Sequence, residues 1–237
     1  PPCFGAGRLA AVSARRPTKH EFRTSFRPRD AMMRFSPISG TTSATVPSAA
    51  NARSSVSSVF IAGATFEGVR LPEAMRRTSL KESTFVECDF SGCQLQEADL
   101  HLATFFRCKL DGASFESGRL IAASFAECSA EGASFARVEA PIATWVKTML
   151  ERASFVRANL DRANIIESAA GEADFSDANL EKVTLYRADL RTANLARANL
   201  TLTTLVEAML GAKSFESNTL FRTQFMKSEL AGASFAG

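Results

Sequence analysis

Residues 188–200 read Ala188-Asp189-Leu190-Arg191-Thr192-Ala193-Asn194-Leu195-Ala196-Arg197-Ala198-Asn199-Leu200. Leucine recurs every five residues at 190, 195 and 200, each time with alanine two places before it and Asp or Asn between. Neither an α-helix, with a period of about 3.6, nor a simple strand, with a period of about 2, generates this spacing. Wound as a helix, the leucines would spread around the cylinder and leave no apolar stripe to bury.

Outward from this stretch the register holds in both directions. From Leu80 to Phe235 every fifth residue is apolar over 32 positions: sixteen Leu, eleven Phe, and Ile165, Trp145, Ala130, Ala140 and Ala170. Two residues before each centre lies a small residue, Ala in sixteen of 32 cases and otherwise mostly Ser, Thr, Cys, Gly or Val. An internal repeat this regular outranks every other signal of fold. The run resembles the pentapeptide-repeat family, whose motif is Ala-(Asp/Asn)-Leu-X-X. That resemblance covers about two thirds of the chain. It implies an all-β fold, the right-handed quadrilateral β-helix. In that solenoid four pentapeptides make a square coil of 20 residues, with about eight coils over residues 79–237 and both the Leu/Phe and the small residue pointing inward. Ile61, Phe66 and Leu71 follow Val59, Ala64 and Val69 at the same offset, so residues 59–78 are expected to form irregular first repeats or an N-terminal cap. The register slips by one residue before Leu80, and Pro72 with Arg76 and Arg77 marks the slip as a bulge or loop.

The sequence tests the coil length internally. If positions 20 apart share a wall, they should share chemistry. The centres 95, 115, 135, 155, 175, 195, 215 and 235 include six Phe; the centres 85, 105, 125, 145, 165, 185, 205 and 225 include four Phe plus Trp145. The other two walls together hold one aromatic centre, Phe90. Aromatics are therefore expected on two opposite walls and aliphatics on the other two.

The chain has 237 residues, 46% hydrophobic and 22% charged, enough to bury a core. No apolar run approaches the roughly 18 residues of a membrane span. The charge is divided: residues 1–78 carry 12 Lys/Arg against 4 Asp/Glu, and residues 79–237 carry 16 against 21. Residues 1–58 form a basic Ser/Arg-rich segment with no helical or strand period, and disorder is expected there. Its composition fits an organellar transit peptide, in chloroplast or mitochondrion, as well as a plain tail, an arm on nucleic acid or membrane, or sequence upstream of a start at Met32 or Met33. In a bacterial setting the expected compartment is the cytoplasm.

Chemistry-bearing residues are few. The only two histidines are His20, in the basic segment, and His101, which points outward with no Ser, Cys or carboxylate held as a triad would require. No Gly-rich phosphate loop or dinucleotide fingerprint occurs, so no catalytic or cofactor site is expected and the chain does not read as an enzyme. Cys88, Cys108 and Cys128 stand 20 apart at the small inward position of one wall, and Cys93 occupies that position on the next. With no CxxC spacing and parallel Cβ directions they read as a packing ladder, not as a metal site or disulfides. Lys213 and Asn218 also fall at inward small positions; the expectation is a local distortion that lets Lys213 reach outward, the alternative being a Lys bonded to backbone carbonyls or to Asn218.

One wall carries an outward signal. After the centres 85 to 225 the outward residues are Val86, Phe106, Ala126, Val146, Ile166, Tyr186, Val206 and Met226. The next column reads Glu87, Arg107, Glu127, Lys147, Glu167, Arg187, Glu207 and Lys227, alternating in sign at every coil. Opposite charges one coil apart stabilise the register. An apolar strip of this length, however, points to a contact surface for a partner protein, a second copy or the folded-back N-terminal segment. The expected function is therefore a non-enzymatic interaction scaffold. Some members of the family mimic duplex DNA and bind type II topoisomerases, as the quinolone-resistance proteins do. That alternative needs a strongly negative surface, which the alternating column does not supply. Nucleic acid is not an expected partner of the repeats. Outward Thr84, Thr104, Thr144, Thr184 and Thr204 prompt an ice-binding reading, but Phe106, Tyr186 and the charges break up a flat plane. Phe235 sits on a wall two residues from the end of the sequence, so either the sequence is a fragment or that end docks onto a second copy.

Overall fold

Each pentapeptide places its small residue and its centre inward, exposes the residue between them, and then turns a corner. The turn requires a left-handed backbone. Corner residues such as Glu82, Glu87 and Glu97 have φ of 56°, 53° and 58°, and glycine fills the corner at Gly112 and Gly132 with φ of 62° and 63°. A non-glycine residue there costs about 1–2 kcal/mol. The hydrogen-bond ladders on either side hold the corners in place. In the computed structural model the described residues are 62–235, together with the backbone of two strands, β1 (Phe35–Ile38) and β2 (Thr41–Ala44).

Among these residues every regular element is a strand. One wall, wall 1, carries three-residue strands: β3 (Thr65–Glu67), β4 (Thr84–Val86), β5 (Thr104–Phe106), β6 (Ser124–Ala126), β7 (Thr144–Val146), β8 (Asn164–Ile166), β9 (Thr184–Tyr186), β10 (Thr204–Val206) and β11 (Gln224–Met226). From β4 onward they pair in parallel, in sequence order, each residue with the one 20 positions on, as Phe85 does with Phe105 and Phe105 with Phe125. Walls 2, 3 and 4, centred on 90, 95 and 100 and their equivalents, are joined by single parallel bridges such as Asp89↔Lys109, Ser114↔Ser134 and Asn159↔Asn179. The described residues from β3 onward form a four-walled parallel β-solenoid of about eight coils, and the 20-residue coil implied by the family resemblance is the one that forms.

The core follows from this geometry. Phe66, Phe85, Phe105, Phe125 and Trp145 stack up wall 1 with ring centroids 5.0, 4.9, 4.7 and 5.4 Å apart. Phe115, Phe135, Phe155 and Phe175 stack up the opposite wall 3 at 4.9, 4.9 and 4.7 Å. The two stacks meet edge to face, as between Phe125 and Phe135 at 5.7 Å. Offset stacks within each wall and T-shaped contacts across it are the favoured aromatic geometries. On the outside of wall 4, Asn179 donates to Asn159 and Asn199 to Asn179, each at 3.1 Å, a side-chain ladder at the coil spacing.

The register slip lies between Leu71 and Met75. Phe66 pairs with Phe85, 19 residues on, and Met75 takes the next wall-centre position, its N–H donating to the Gln94 carbonyl. The coil is one residue short at this wall; no residue bulges out. Arg77 then occupies an ordinary corner, with φ of 56°, and pairs with Glu97.

The segment 1–58, expected to be disordered, lies outside the described residues apart from β1 and β2. These two pair antiparallel, and Ser43 of β2 bridges Thr65 of β3, so the hairpin extends the first edge of wall 1. A parallel ladder leaves unpaired N–H and C=O groups at its edge. Backbone pairing there needs no side-chain period, which is why the sequence pattern does not reveal it.

At the other end, Lys213 departs from the expected outward reach. Its amine stays half-buried and donates to the carbonyls of Arg191, at 3.1 Å, and Ala193. Asn218 donates to Leu195 and, at 3.1 Å, to Ala198. In regular coils the Ala193-type carbonyl accepts a backbone N–H from the coil above, as Ala173 does from Asn194. The lysine takes over that role, and among the described residues the wall 3 bridges run to Asn194 and resume at Ser214↔Ser234 without the step between. Burial lowers the Lys213 pKa from its ordinary value. A buried amine is tolerated only because it is bonded and the coil opens around it.

Candidate surface on wall 1

The outward side of wall 1 has four columns, set by the strand and its two corners. From β4 onward the third residue of each strand supplies the apolar column; in β3 that position is Glu67. Val86, Phe106, Val146, Ile166, Tyr186 and Val206 are half-buried, packed between the same position of the coils above and below, and Met226 of β11 is 52% exposed. The column is thus less open than the sequence implies. Part of the cover comes from its neighbours: the Arg107 guanidinium lies 4.7 Å from the Phe106 ring centroid, and Arg187 lies 4.9 Å from Tyr186. These contacts bury the rings without removing them from reach, since the arginines are themselves exposed.

The alternating column occupies the corner after each strand, from Glu87 to Lys227. Arg107 bonds Glu127 at 2.9 Å, Arg187 bonds Glu207 at 2.7 Å, and Glu167 lies 3.8 Å from both Lys147 and Arg187. The Arg187 hydrogen bond holds the Glu207 carboxyl below the ordinary carboxylate range. Exposed pairs of this kind add little to stability; what they set is the pattern of charge along the wall's edge.

The corner before each strand adds residues that the sequence reading passed over. Leu102, Ile142 and Leu202 are 47%, 52% and 37% exposed, among the most exposed large apolar side chains of the described residues. Their column also contains Glu82, Arg162, Lys182 and Arg222, so no run of apolar residues marks it. Only alignment at 20-residue spacing would have shown Leu102 and Leu202 on the same edge of the same wall. Between the two corners, the strands' first residues are mostly Thr, as at Thr84, Thr104, Thr144, Thr184 and Thr204. The wall combines apolar, hydroxyl and paired-charge columns, and is amphipathic across its width.

The cysteine column is a different kind of feature. Cys88, Cys108 and Cys128 are buried free thiols whose Sγ atoms face carbonyls one coil below: Phe66, Phe85 and Phe105, at 3.4, 3.4 and 3.5 Å. Thr148 and Ser168 continue the column with the same contact to Phe125 and Trp145. This inward position therefore takes a small donor that answers a carbonyl. Burial pushes the Cys93 thiol up to about 12. The hydrogen bond with Cys108, followed by burial, raises Cys88 as well. The hydrogen bond with Cys108 lowers Cys128 instead, but all four thiols are buried, and a buried thiol is shielded from reagents in solution. The four are expected to resist a thiol-modifying reagent in the native protein and to react in full in denaturant; rapid native labelling at any of these four positions, mapped apart from Cys3, would contradict the packing role. Among the described residues no group of three His, Cys, Asp or Glu is gathered so as to hold a metal ion, and no helix is long and apolar enough to cross a membrane.

Walls one pentapeptide wide, coils of 20 residues and an inward small/large pair define a five-residue-unit β-solenoid. The family model for pentapeptide repeats matches the chain in eight copies, over residues 75–112 and 172–210. Among solved structures the chain is similar to HetL, a pentapeptide repeat protein involved in heterocyst differentiation regulation in the cyanobacterium Nostoc sp. strain PCC 7120. The two share 23% identity, with 74% of this chain and 88% of HetL covered and a TM-score of 0.55. It is also similar to QnrB1, a plasmid-mediated fluoroquinolone resistance protein, at 21% identity, 70% and 92% coverage and a TM-score of 0.53. At these identities the likeness carries the fold alone. No curated protein matches the chain by sequence.

Proposed function

We propose that this chain is a non-catalytic protein–protein interaction scaffold that uses wall 1 as its contact surface. The observation that carries this reading is the apolar column of wall 1. It runs through the eight coils from Val86 of β4 to Met226 of β11, while the equivalent column of wall 2 reads Ser91, Asp111, Glu131, Glu151, Gly171, Arg191, Gly211 and Ala231. Contiguous apolar surface flanked by polar groups is the usual mark of an interaction site. The flat parallel ladder beneath it is rigid, so binding would require little ordering of the scaffold. The topoisomerase-directed reading suggested by likeness to QnrB1 is less well supported. An imitation of duplex DNA needs one extended sign of charge, whereas the edge of wall 1 alternates from Glu87 to Lys227.

Immobilised full-length chain should capture its partners through wall 1. Replacing Ile166 and Tyr186 by serine is expected to weaken that capture by about tenfold or more with little change in the thermal unfolding midpoint, because both side chains point out of the core. Capture of the same proteins in the same amounts by the variant would remove wall 1 from consideration.

A further inference from the structure

Wall 1 is complementary to itself. Two flat walls placed face to face are related by a twofold axis in the plane of contact. When that axis runs across the solenoid, the two copies lie antiparallel, and each column of one copy meets the same column of the other. With the axis between the fourth and fifth coils, residue 107 meets 207, 127 meets 187, and 147 meets 167. The charged column alternates over an even number of coils. In this register every member therefore faces one of opposite sign: Arg107 meets the partner's Glu207 and Glu127 meets the partner's Arg187. A shift by one coil would bring like charges together at every position.

The other three columns bear on the same register. The smallest side chain of the apolar column, Ala126, meets the largest polar-tipped one, the partner's Tyr186, and every other meeting in that column is apolar against apolar. On the other edge, exposed Leu102 meets the partner's exposed Leu202 and Glu82 meets the partner's Arg222, while Ile142 and Ala122 lie against the stems of the partner's Arg162 and the partner's Lys182. Between them Thr104 faces the partner's Thr204, hydroxyl to hydroxyl. Charge sign, side-chain size and exposed leucines thus agree on one arrangement out of several that the geometry permits.

We propose that the occupant of wall 1 is a second copy of this chain, packed antiparallel about an axis between the fourth and fifth coils. The proposal rests on the reading of wall 1 as a contact surface and names its partner. Eight coils at about 4.8 Å and a wall roughly 10 Å wide give a flat footprint on the order of 400 Å² per copy. That is small for a specific interface, so the dimer is expected at micromolar concentrations and not far below. High salt should weaken it, because the facing corner columns are exposed to solvent.

The test is sedimentation velocity on the full chain over a concentration series. Wild-type protein is expected to dimerise, and Arg107→Glu and Glu207→Arg are each expected to weaken self-association by about tenfold or more. An equimolar mixture of the two variants should recover a heterodimer. Positions 107 and 207 lie five coils, about 24 Å, apart in one chain, so they cannot compensate within it. Ala126→Trp, which leaves every charge in place, should also weaken the dimer by obstructing the partner's Tyr186. A wild-type chain that stays monomeric throughout the series overturns the proposal, as does a dimer indifferent to Arg107→Glu and Ala126→Trp, or variants that fail to recover on mixing. A monomer whose capture of other proteins still depends on Ile166 and Tyr186 would leave the scaffold reading standing and eliminate only this partner.

Discussion

Replacing Phe125 by alanine should lower stability by about 3–5 kcal/mol, the usual cost of removing a large aromatic from a packed core. For a protein of this size that corresponds to a fall in Tm of roughly 6–20 °C. Phe125 is fully buried, stacked 4.7 Å from Phe105 and 5.4 Å from Trp145, with edge contacts to Phe115 and Phe135 at 6.1 and 5.7 Å. The surrounding strands are tied at fixed spacing by ladder bonds, so they cannot collapse into the space. In a solenoid each coil leans only on its neighbours, so the loss should be local before it is global. Trp145, the only tryptophan, sits on the adjacent ring and its fluorescence reports that region. The change in tryptophan emission is expected to precede the loss of β-signal in circular dichroism on heating. Coincident transitions with a loss under about 1 kcal/mol would mean that the rings do not carry the wall.

The second large effect separates two neighbouring positions. Ala133→Asp should destabilise by more than about 4 kcal/mol, whereas Ser134→Asp should change stability by no more than about 0.5 kcal/mol. Ala133 is fully buried between Ala113 and Ala153, so a carboxylate there would be an uncompensated charge in a dry column. Ser134 faces out and is flanked along its bridge ladder by Ser114 and Ser154, neither of them charged. The pH dependence has a definite sign. Burial would raise the pKa of the carboxyl introduced by Ala133→Asp above its unfolded value of about 3.9. The variant's deficit would then be least in acid and grow as pH rises above that unfolded value, the opposite of a paired surface carboxylate. Chemical denaturation at about pH 4 and about pH 7 reads both magnitude and sign. Lys213 shows why the rule can be broken locally: its amine finds the Arg191 and Ala193 carbonyls only where a bridge is given up.

How far the sequence speaks depends on whether a feature is repeated. The inward column at Leu95, Phe115 and Phe135 was legible because every coil repeats the same environment, so each residue type is constrained many times over. The same averaging exposed the sign alternation from Glu87 to Lys227. Features that occur once were not legible. The 19-residue step between Phe66 and Phe85 looks like an irregularity in the sequence, and only the ladder shows that Met75 has moved into the wall centre. The amine of Lys213 was expected to leave the core, because its carbonyl partners come from a coil 20 residues away. Leu102 and Leu202 escaped notice because their column mixes apolar and charged residues, and nothing local tells an exposed corner from a packed one.

The sequence by itself determined the five-residue unit and the segregation of aromatic centres at 20-residue spacing, and through the family resemblance it implied the parallel coil and the inward side chains. The five-residue period follows from one requirement, that every pentapeptide hide the same pair of positions. The tertiary structure alone decided what the outward columns are worth. It showed that Phe106 and Tyr186 lie under the guanidinium groups of Arg107 and Arg187, and it placed Leu102 and Leu202 in the open on the edge of the same wall. Exposure depends on contacts between coils that periodicity brings together but does not rank, because solvent leaves an outward residue free to be almost anything.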